Sequence, residues 1–170
     1  MKTSVPISLS LSARQHSRLK DSLFPGDGSE HVAIVLCGRR AGPERHRLMV
    51  REVHPIPDEA CKENSRVHIR WGTDFLPPLL ESAERRCLSV FKVHSHPTGE
   101  PSFSDADNAS DADFLPAMQS WVESPVPHGS AIMLPDGSML GRTPGADGEF
   151  QPLSRIAVVG PDLRLWHGDG

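Results

Sequence analysis

A strand that ends in two histidines and leads at once into a capped helix constrains this 170-residue chain more than any other feature. The segment runs from His94 to Asp107 and reads HSHPTGEPSFSDAD. If residues 88–96 form a strand, His94 and His96 point to the same face, because they are two residues apart. Pro97 has no N–H to donate, so it ends the strand. The sequence therefore places two imidazoles side by side at a strand end.

The residues that follow are expected to bring a carboxylate close to these two imidazoles. Residues 98–101 are typical of a turn. Ser104 is the predicted N-cap of a helix, with Asp105 and Asp107 in its first turn. An S-x-x-D pair alone is usually only a capping device, and a single histidine is usually a surface or core residue. Two imidazoles and a carboxylate in this order, however, suit a zinc ion that keeps a fourth position for water. This set favours hydrolysis as the function.

The pattern H-x-H-P-x(6)-S-x-x-D resembles the signature of the JAMM (JAB1/MPN/Mov34) metalloprotease family, in which a distant glutamate precedes it. The resemblance implies an α/β fold, with a central mixed, mostly antiparallel curved sheet flanked by helices. It implies one domain over residues 1–170, with a core from about 7 to 166. It also implies zinc-dependent hydrolysis of isopeptide or peptide bonds, commonly at the C-terminus of ubiquitin or a ubiquitin-like protein.

Carried over position by position, the resemblance identifies His94, His96 and Asp107 as zinc ligands. It assigns Ser104 to stabilisation of the oxyanion. An N-cap role for Ser104 is compatible with that assignment, because one hydroxyl can serve both purposes.

The family's glutamate lies just before or within an early apolar strand that ends in glycine. Glu30 precedes the run HVAIVLCG and is the predicted general base, which takes a proton from water and later gives one to the departing amine. Glu52, within LMVREVHP, is the alternative, and it belongs to a second predicted strand.

The phrases LFPGDGSEHVAIVLCGRR and VREVHPIPDEAC are similar to bacterial JAB domains associated with ThiF-like activating enzymes. This implies a ubiquitin-like modifier or its conjugate as the partner, with an activating and a conjugating enzyme of the same system. Two other functions stay open. One is a zinc hydrolase of a small amide or sulfur-carrier conjugate, and the other is a non-catalytic MPN-type binding module.

Composition weighs against several classes of function. The formal net charge of −4 and a pI near 6.1 give no basic footprint for nucleic acid, which disfavours the DNA-repair-associated RadC branch. No run reaches the length of a membrane span, so no membrane association is expected. Cys37, Cys61 and Cys87 are odd in number and lack CxxC spacing, which favours reduced thiols and a cytoplasmic location.

The coarse prediction of secondary structure alternates short strands with three helices. The helices are expected at residues 13–24, 73–86 and 104–123, the last interrupted or kinked by Pro116. The strands are expected at 7–11, 31–36, 46–54, 66–71, 88–96, 130–134, 138–142, 156–159 and 163–166, with 55–65 irregular.

Several polar residues outside the motif are interpreted as surface or loop residues. The histidines in this group are His31, His46, His54, His68 and His128. Asp111 is interpreted as solvated rather than as a residue that orients a ligand. Phe103 is expected to line a groove for an extended substrate tail or, alternatively, to act as a hydrophobic staple at the helix start.

Overall fold

The computed structural model describes residues 5–57, 61–64, 69–71, 73–145 and 147–168. In chain order the elements are β1 Ile7–Ser12, α1 Ala13–Leu23, β2 Val32–Arg40, β3 His46–Pro55, β4 Cys61–Asn64, β5 Ile69–Trp71, a 3₁₀ turn Thr73–Phe75, α2 Leu76–Arg85, β6 Leu88–Ser95, α3 Asp105–Trp121, β7 Gly129–Met133, β8 Met139–Pro144, β9 Phe150–Pro152, β10 Arg155–Val159 and β11 Arg164–His167.

Nine of these strands form one mixed sheet, in the order β11-β10-β1-β3-β2-β6-β7-β8-β9. β1 pairs in parallel with β3 and β10, and β6 pairs in parallel with β7. The remaining neighbours are antiparallel. β8 also contacts β10 and β11, so the sheet curls until distant strands meet. The predicted fold class, a single α/β domain with a mostly antiparallel curved sheet flanked by helices, is confirmed.

Two hydrophobic cores lie on opposite faces of the sheet. On β2, residues 33, 35 and 37 belong to the core that includes Leu19 and Leu23 of α1. Residues 32, 34 and 36 belong to the core that includes Leu80 of α2 and Met118 of α3. Because both faces are covered, this strand is apolar from Val32 to Cys37 instead of alternating with polar residues.

The side chains of the central strand β6 also alternate between the two cores, and this alternation decides which way the HxHP motif faces. Val90 lies in the core beneath α2 and α3, whereas Phe91 and Val93 lie in the core beneath α1. Since successive side chains of a strand alternate, His94 points toward the helix pair, as Val90 does. The histidines therefore face the helix that carries Asp107.

The helix ends obey local capping rules. Ser12 caps α1 and Ser104 caps α3, each with a complete capping box in which the third helical residue bonds back to the cap. The predicted interruption at Pro116 is not observed, because α3 continues through this residue to Trp121.

The three predicted helices correspond to α1, to α2 with the turn before it, and to α3. β4 lies within the stretch that was expected to be irregular, and β9 was not expected. Both strands are only three or four residues long, too short to show a period in sequence. Of the strand predicted at 66–71, residues 69–71 form β5 and the others lie outside the described residues. Within the described ranges, no α-helix combines the length and apolar character needed to cross a bilayer.

Candidate metal centre

His94, His96 and Asp107 form the one group of potential metal ligands found in the described part of the chain. A ligand atom from each lies within 4.8 Å of the others. His94 Nε2 lies 3.0 Å from Asp107 Oδ1, and His96 Nε2 lies 3.3 Å from Asp107 Oδ2. The two Nε2 atoms are 3.1 Å apart. The predicted strand, turn and helix start therefore bring the three side chains together.

These distances suit a zinc ion. Tetrahedral zinc with bonds of about 2.0–2.1 Å has ligand–ligand edges of about 3.3–3.4 Å, close to the separations in this group. His96 Nδ1–H donates to the Glu100 carbonyl over 2.9 Å, which leaves Nε2 as the ligand nitrogen. The loop that supplies this carbonyl turns at Gly99, whose φ of +79° favours glycine. No fourth His, Cys, Asp or Glu among the described residues joins the group.

Electrostatics prepares the same side chains for metal binding. Burial lowers the pKa of His94 below its ordinary value, although Asp107 opposes this effect. At His96 burial also acts to lower the pKa, but hydrogen bonds to Asp107 and to the Glu100 carbonyl raise it overall. Burial would raise the pKa of Asp107, yet the two histidines hold it well below its usual range. A neutral His94 and an ionised Asp107 are the forms that bind metal.

Glu30 lies two residues before β2, which begins at Val32. His31 N donates to Ser95 Oγ over 2.9 Å, and Ser95 N donates to the His31 carbonyl over 3.0 Å. These bonds fix the start of β2 against the end of β6. The charge of Glu30 contributes to the raised pKa of His96, which places this carboxylate within electrostatic reach of the ligand group.

Glu52, the alternative base, lies elsewhere on the sheet. It pairs with Leu36 on β2, and Leu36 pairs with Val90, four residues before His94 on β6. At about 3.3 Å per residue and about 4.8 Å per strand, this separates Glu52 from His94 by more than about 15 Å. Its carboxylate also contacts His54 at 2.8 Å and Arg86.

Ser104 occupies the predicted N-cap position. Its Oγ accepts the Asp107 N–H over 3.1 Å and lies 2.8 Å from Asp107 Oδ2. The same Oδ2 accepts the Ser104 N–H over 2.8 Å. The capping box therefore sets the direction of the Asp107 carboxylate.

A family comparison places this arrangement among known proteins. The profile of a family described as prokaryotic homologs of the JAB domain matches residues 12–139, which include the ligand group and Glu30. The chain belongs to this family. No curated protein sequence gives a significant match.

The chain is also similar in fold to a solved structure. The solution structure of protein DSY2949 from Desulfitobacterium hafniense is similar, with a TM-score of 0.51 and 18% sequence identity. The match covers 85% of this chain and 88% of that chain. At this identity the likeness concerns the fold alone.

A buried cluster of charges beside the centre of this JAB-family chain was missed by sequence reasoning. Asp111 is fully buried, so its interpretation as a solvated residue was wrong. Its carboxylate contacts Lys92 Nζ at 2.6 Å and Arg142 Nη2 at 2.6 Å. Ser130 Oγ also donates to it. The sequence carries one signal for the position of Asp111. It follows Asp107 by four residues, and this spacing places both aspartates on one side of α3.

Two histidines that were interpreted as surface or loop residues lie outside the helices and strands but are buried. His128 accepts the Val90 N–H at Nδ1 and donates from Nε2 to the Val122 carbonyl, over 2.9 and 2.7 Å. His31 contacts the Asp27 carboxylate at 2.9 Å. Both are satisfied structural residues, which periodicity alone cannot distinguish from loop histidines. His68 lies outside the described residues.

Cys37 is buried in the core, and burial raises the pKa of its thiol far above its ordinary value.

A groove of about 360 Å³ lies next to the centre. Phe103 lines it, and its ring meets that of His94 at a centroid distance of 6.3 Å. Phe150, Pro152 and Trp166 line other parts. Phe103 therefore lines a groove. That this groove receives a substrate tail stays a prediction.

Proposed function

We propose that this JAB-family chain is a zinc-dependent isopeptidase or peptidase that cleaves after the C-terminal residue of ubiquitin or a ubiquitin-like modifier. The observation that carries the proposal is the convergence of His94, His96 and Asp107 within 4.8 Å. Three protein ligands leave a zinc ion with an open position, which is the arrangement of hydrolytic rather than structural sites. Family membership supports the same class of activity.

His94 and His96 would hold the ion through Nε2, and Asp107 would hold it through its carboxylate. When bound, zinc supplies Lewis-acid chemistry and lowers the pKa of coordinated water. Glu30 takes the proton from the attacking water and delivers it to the departing amine. Ser104 Oγ donates a hydrogen bond to the oxyanion that develops on the scissile carbonyl.

The substrate is an extended polypeptide tail bonded to an amine. The groove beside Phe103 supports this, because its 360 Å³ is of the size that takes side chains of a bound segment. The partners that we propose are a ubiquitin-like modifier or its conjugate, and a ThiF-like activating enzyme with a conjugating enzyme of the same system. We propose a cytoplasmic location for these reactions.

The test is cleavage of a ubiquitin-like protein that carries a C-terminal fusion or a lysine conjugate, with and without a zinc chelator. The substrates include any modifier encoded beside this gene. Chelator-sensitive cleavage at the modifier's last residue is the expected result. Failure to cleave any of them, by protein that holds one zinc ion per chain, would contradict the proposal. It would favour a hydrolase of small amides or a non-catalytic binding module.

The role of the glutamate has its own prediction. Glu30→Gln removes the base without removing a ligand, so it retains zinc and loses cleavage, whereas His94→Ala loses both. Glu52→Gln is the matched control, because it makes the same chemical change at the alternative position and leaves cleavage intact. Zinc content and cleavage rate are measured for all three. Full activity in Glu30→Gln together with an inactive Glu52→Gln would transfer the role to Glu52.

A further inference from the structure

Arg142 on β8 makes three hydrogen bonds through its guanidinium. Its side chain is buried, and its guanidinium donates from Nε and Nη2 to Asp111 Oδ2, over 3.0 and 2.6 Å. Nη1 donates to Asn108 Oδ1 over 2.6 Å. These bonds use the planar fork of the guanidinium, which a lysine cannot reproduce.

The same guanidinium also lies 3.6 Å from the centre of the Phe103 ring. Phe103 and Asn108 flank the two site residues Ser104 and Asp107 in sequence. Arg142 therefore contacts both ends of the segment that carries the Asp107 carboxylate, Phe103 at one end and Asn108 at the other. The Ser104–Asp107 capping box orients this carboxylate within α3, whereas the contacts of Arg142 connect the same segment to β8.

The ring of His94 depends on packing for its orientation. A metal-ligating histidine normally donates its second ring N–H to an acceptor, which fixes the ring. His96 has the Glu100 carbonyl for this purpose, but Nδ1 of His94 is buried and has no hydrogen-bond partner among the described residues. The ring of His94 meets Phe103 edge-on instead, at an interplanar angle of 63°. Packing against the ring that Arg142 holds takes the place of a hydrogen bond.

Asp111 connects Arg142 to β6, the strand that carries His94. Its carboxylate contacts Lys92 Nζ at 2.6 Å, and Lys92 lies two residues before His94 on β6. Arg142, Asp111 and Lys92 thus form a continuous chain of contacts from β8 through α3 to β6. All three side chains are at least nine-tenths buried, so water competes little for these bonds.

We propose that Arg142 is a positioning residue for the metal centre. It holds the segment from Phe103 to Asn108 in the register that faces Asp107 toward the histidines and seats Phe103 against His94. The inference rests on the proposed metal site. It adds a residue that lies outside the HxHP motif and thirty-five positions after Asp107, on another element of the fold.

The test is Arg142→Lys, which keeps the charge but loses the fork and the flat face stacked on Phe103. Zinc affinity is measured by competition with a chromophoric chelator, and ligand geometry by the visible absorption of the Co²⁺-substituted protein. We expect about tenfold weaker zinc binding and an altered cobalt spectrum. Leu19→Ala is the control, since it destabilises the core beneath α1 and makes no contact with the centre. It must lose unfolding free energy while it keeps wild-type zinc affinity and spectrum.

Asn108→Ala is the second variant and removes only the Nη1 contact. It weakens zinc binding by a smaller factor, and it carries the test if Arg142→Lys fails to fold. Wild-type affinity and spectrum in the folded variants would overturn the inference while leaving the proposed function intact. Wild-type protein that binds zinc but cleaves no modifier would refute the proposed function and not this inference. Wild-type protein that binds no zinc would overturn both.

Discussion

Asp107 and Asp111 are four residues apart on α3, yet they have opposite surroundings. Asp107 is partly exposed and faces two histidines, at 3.0 and 3.3 Å. Asp111 is fully buried and faces Lys92 and Arg142, both at 2.6 Å. Histidines can be neutral, so Asp107 and its partners can exchange their mutual contacts for a metal ion. Asp111 is instead committed to its two ion pairs, with Lys92 and with Arg142.

The comparison shows how one helix serves chemistry and architecture at once. The first turn presents its carboxylate to the reactive side of the domain, and the second anchors the helix to the sheet. A shift of α3 by one residue would move both aspartates out of place, so the ion cluster fixes the register of the ligand. Stability and metal affinity are therefore expected to respond differently to substitutions at these two positions.

The largest expected effect is on the stability of Asp111→Ala. Removal of this carboxylate leaves two buried cations without a counter-ion, which costs about 3–5 kcal/mol of unfolding free energy. Asp107→Ala loses mainly a capping-box contact, so it costs about 1 kcal/mol in metal-free protein. Urea unfolding of both variants measures the difference, with exposed Asp113→Ala as the control within about 0.5 kcal/mol. Equal losses of unfolding free energy in the variants at positions 107 and 111 would contradict the contrast between the two aspartates.

A smaller effect separates two serines with the same local role. Ser104→Ala and Ser12→Ala each remove an N-cap from a complete capping box, and each is expected to cost about 1 kcal/mol of stability. Only Ser104 lies at the proposed catalytic centre, where loss of an oxyanion donor lowers turnover by about 100- to 1000-fold. Cleavage rates at saturating substrate, together with urea unfolding, distinguish the two roles. If both variants cleave at the wild-type rate, Ser104 is a cap alone.

The smallest effect is the pH dependence of zinc affinity. The pKa of His96 is raised above its ordinary value of 6.5, while that of His94 is lowered. Because zinc binds the unprotonated imidazole, affinity is highest above the raised pKa of His96 and falls as the pH drops through it. The decline is about tenfold per pH unit for this proton and becomes steeper once His94 also titrates. Competition titrations at pH 8, 7 and 6 measure it.

The control for this titration is His54→Ala, which removes a half-buried imidazole outside the ligand group and keeps the wild-type profile. A zinc affinity that is constant between pH 8 and pH 6 would mean that His96 is not a ligand.

The convergence of His94, His96 and Asp107 was predictable because they lie within one stretch of fourteen residues. A strand period of two, a proline stop and a capping box are local rules, and together they fix the approach of these side chains. The buried strand β2 was predictable for a similar reason. An uninterrupted apolar run needs cover on both faces wherever it lies in the fold.

The surroundings of the centre depended on tertiary structure. Arg142, Lys92 and Ser130 meet Asp111 only because β6, β7 and β8 are neighbours and α3 packs across them. A polar residue at these positions has the same local pattern whether it is solvated or buried against a counter-charge. Burial and pairing are long-range properties, so the sequence alone determined which atoms can hold the metal. The folded sheet decided what holds those atoms in place.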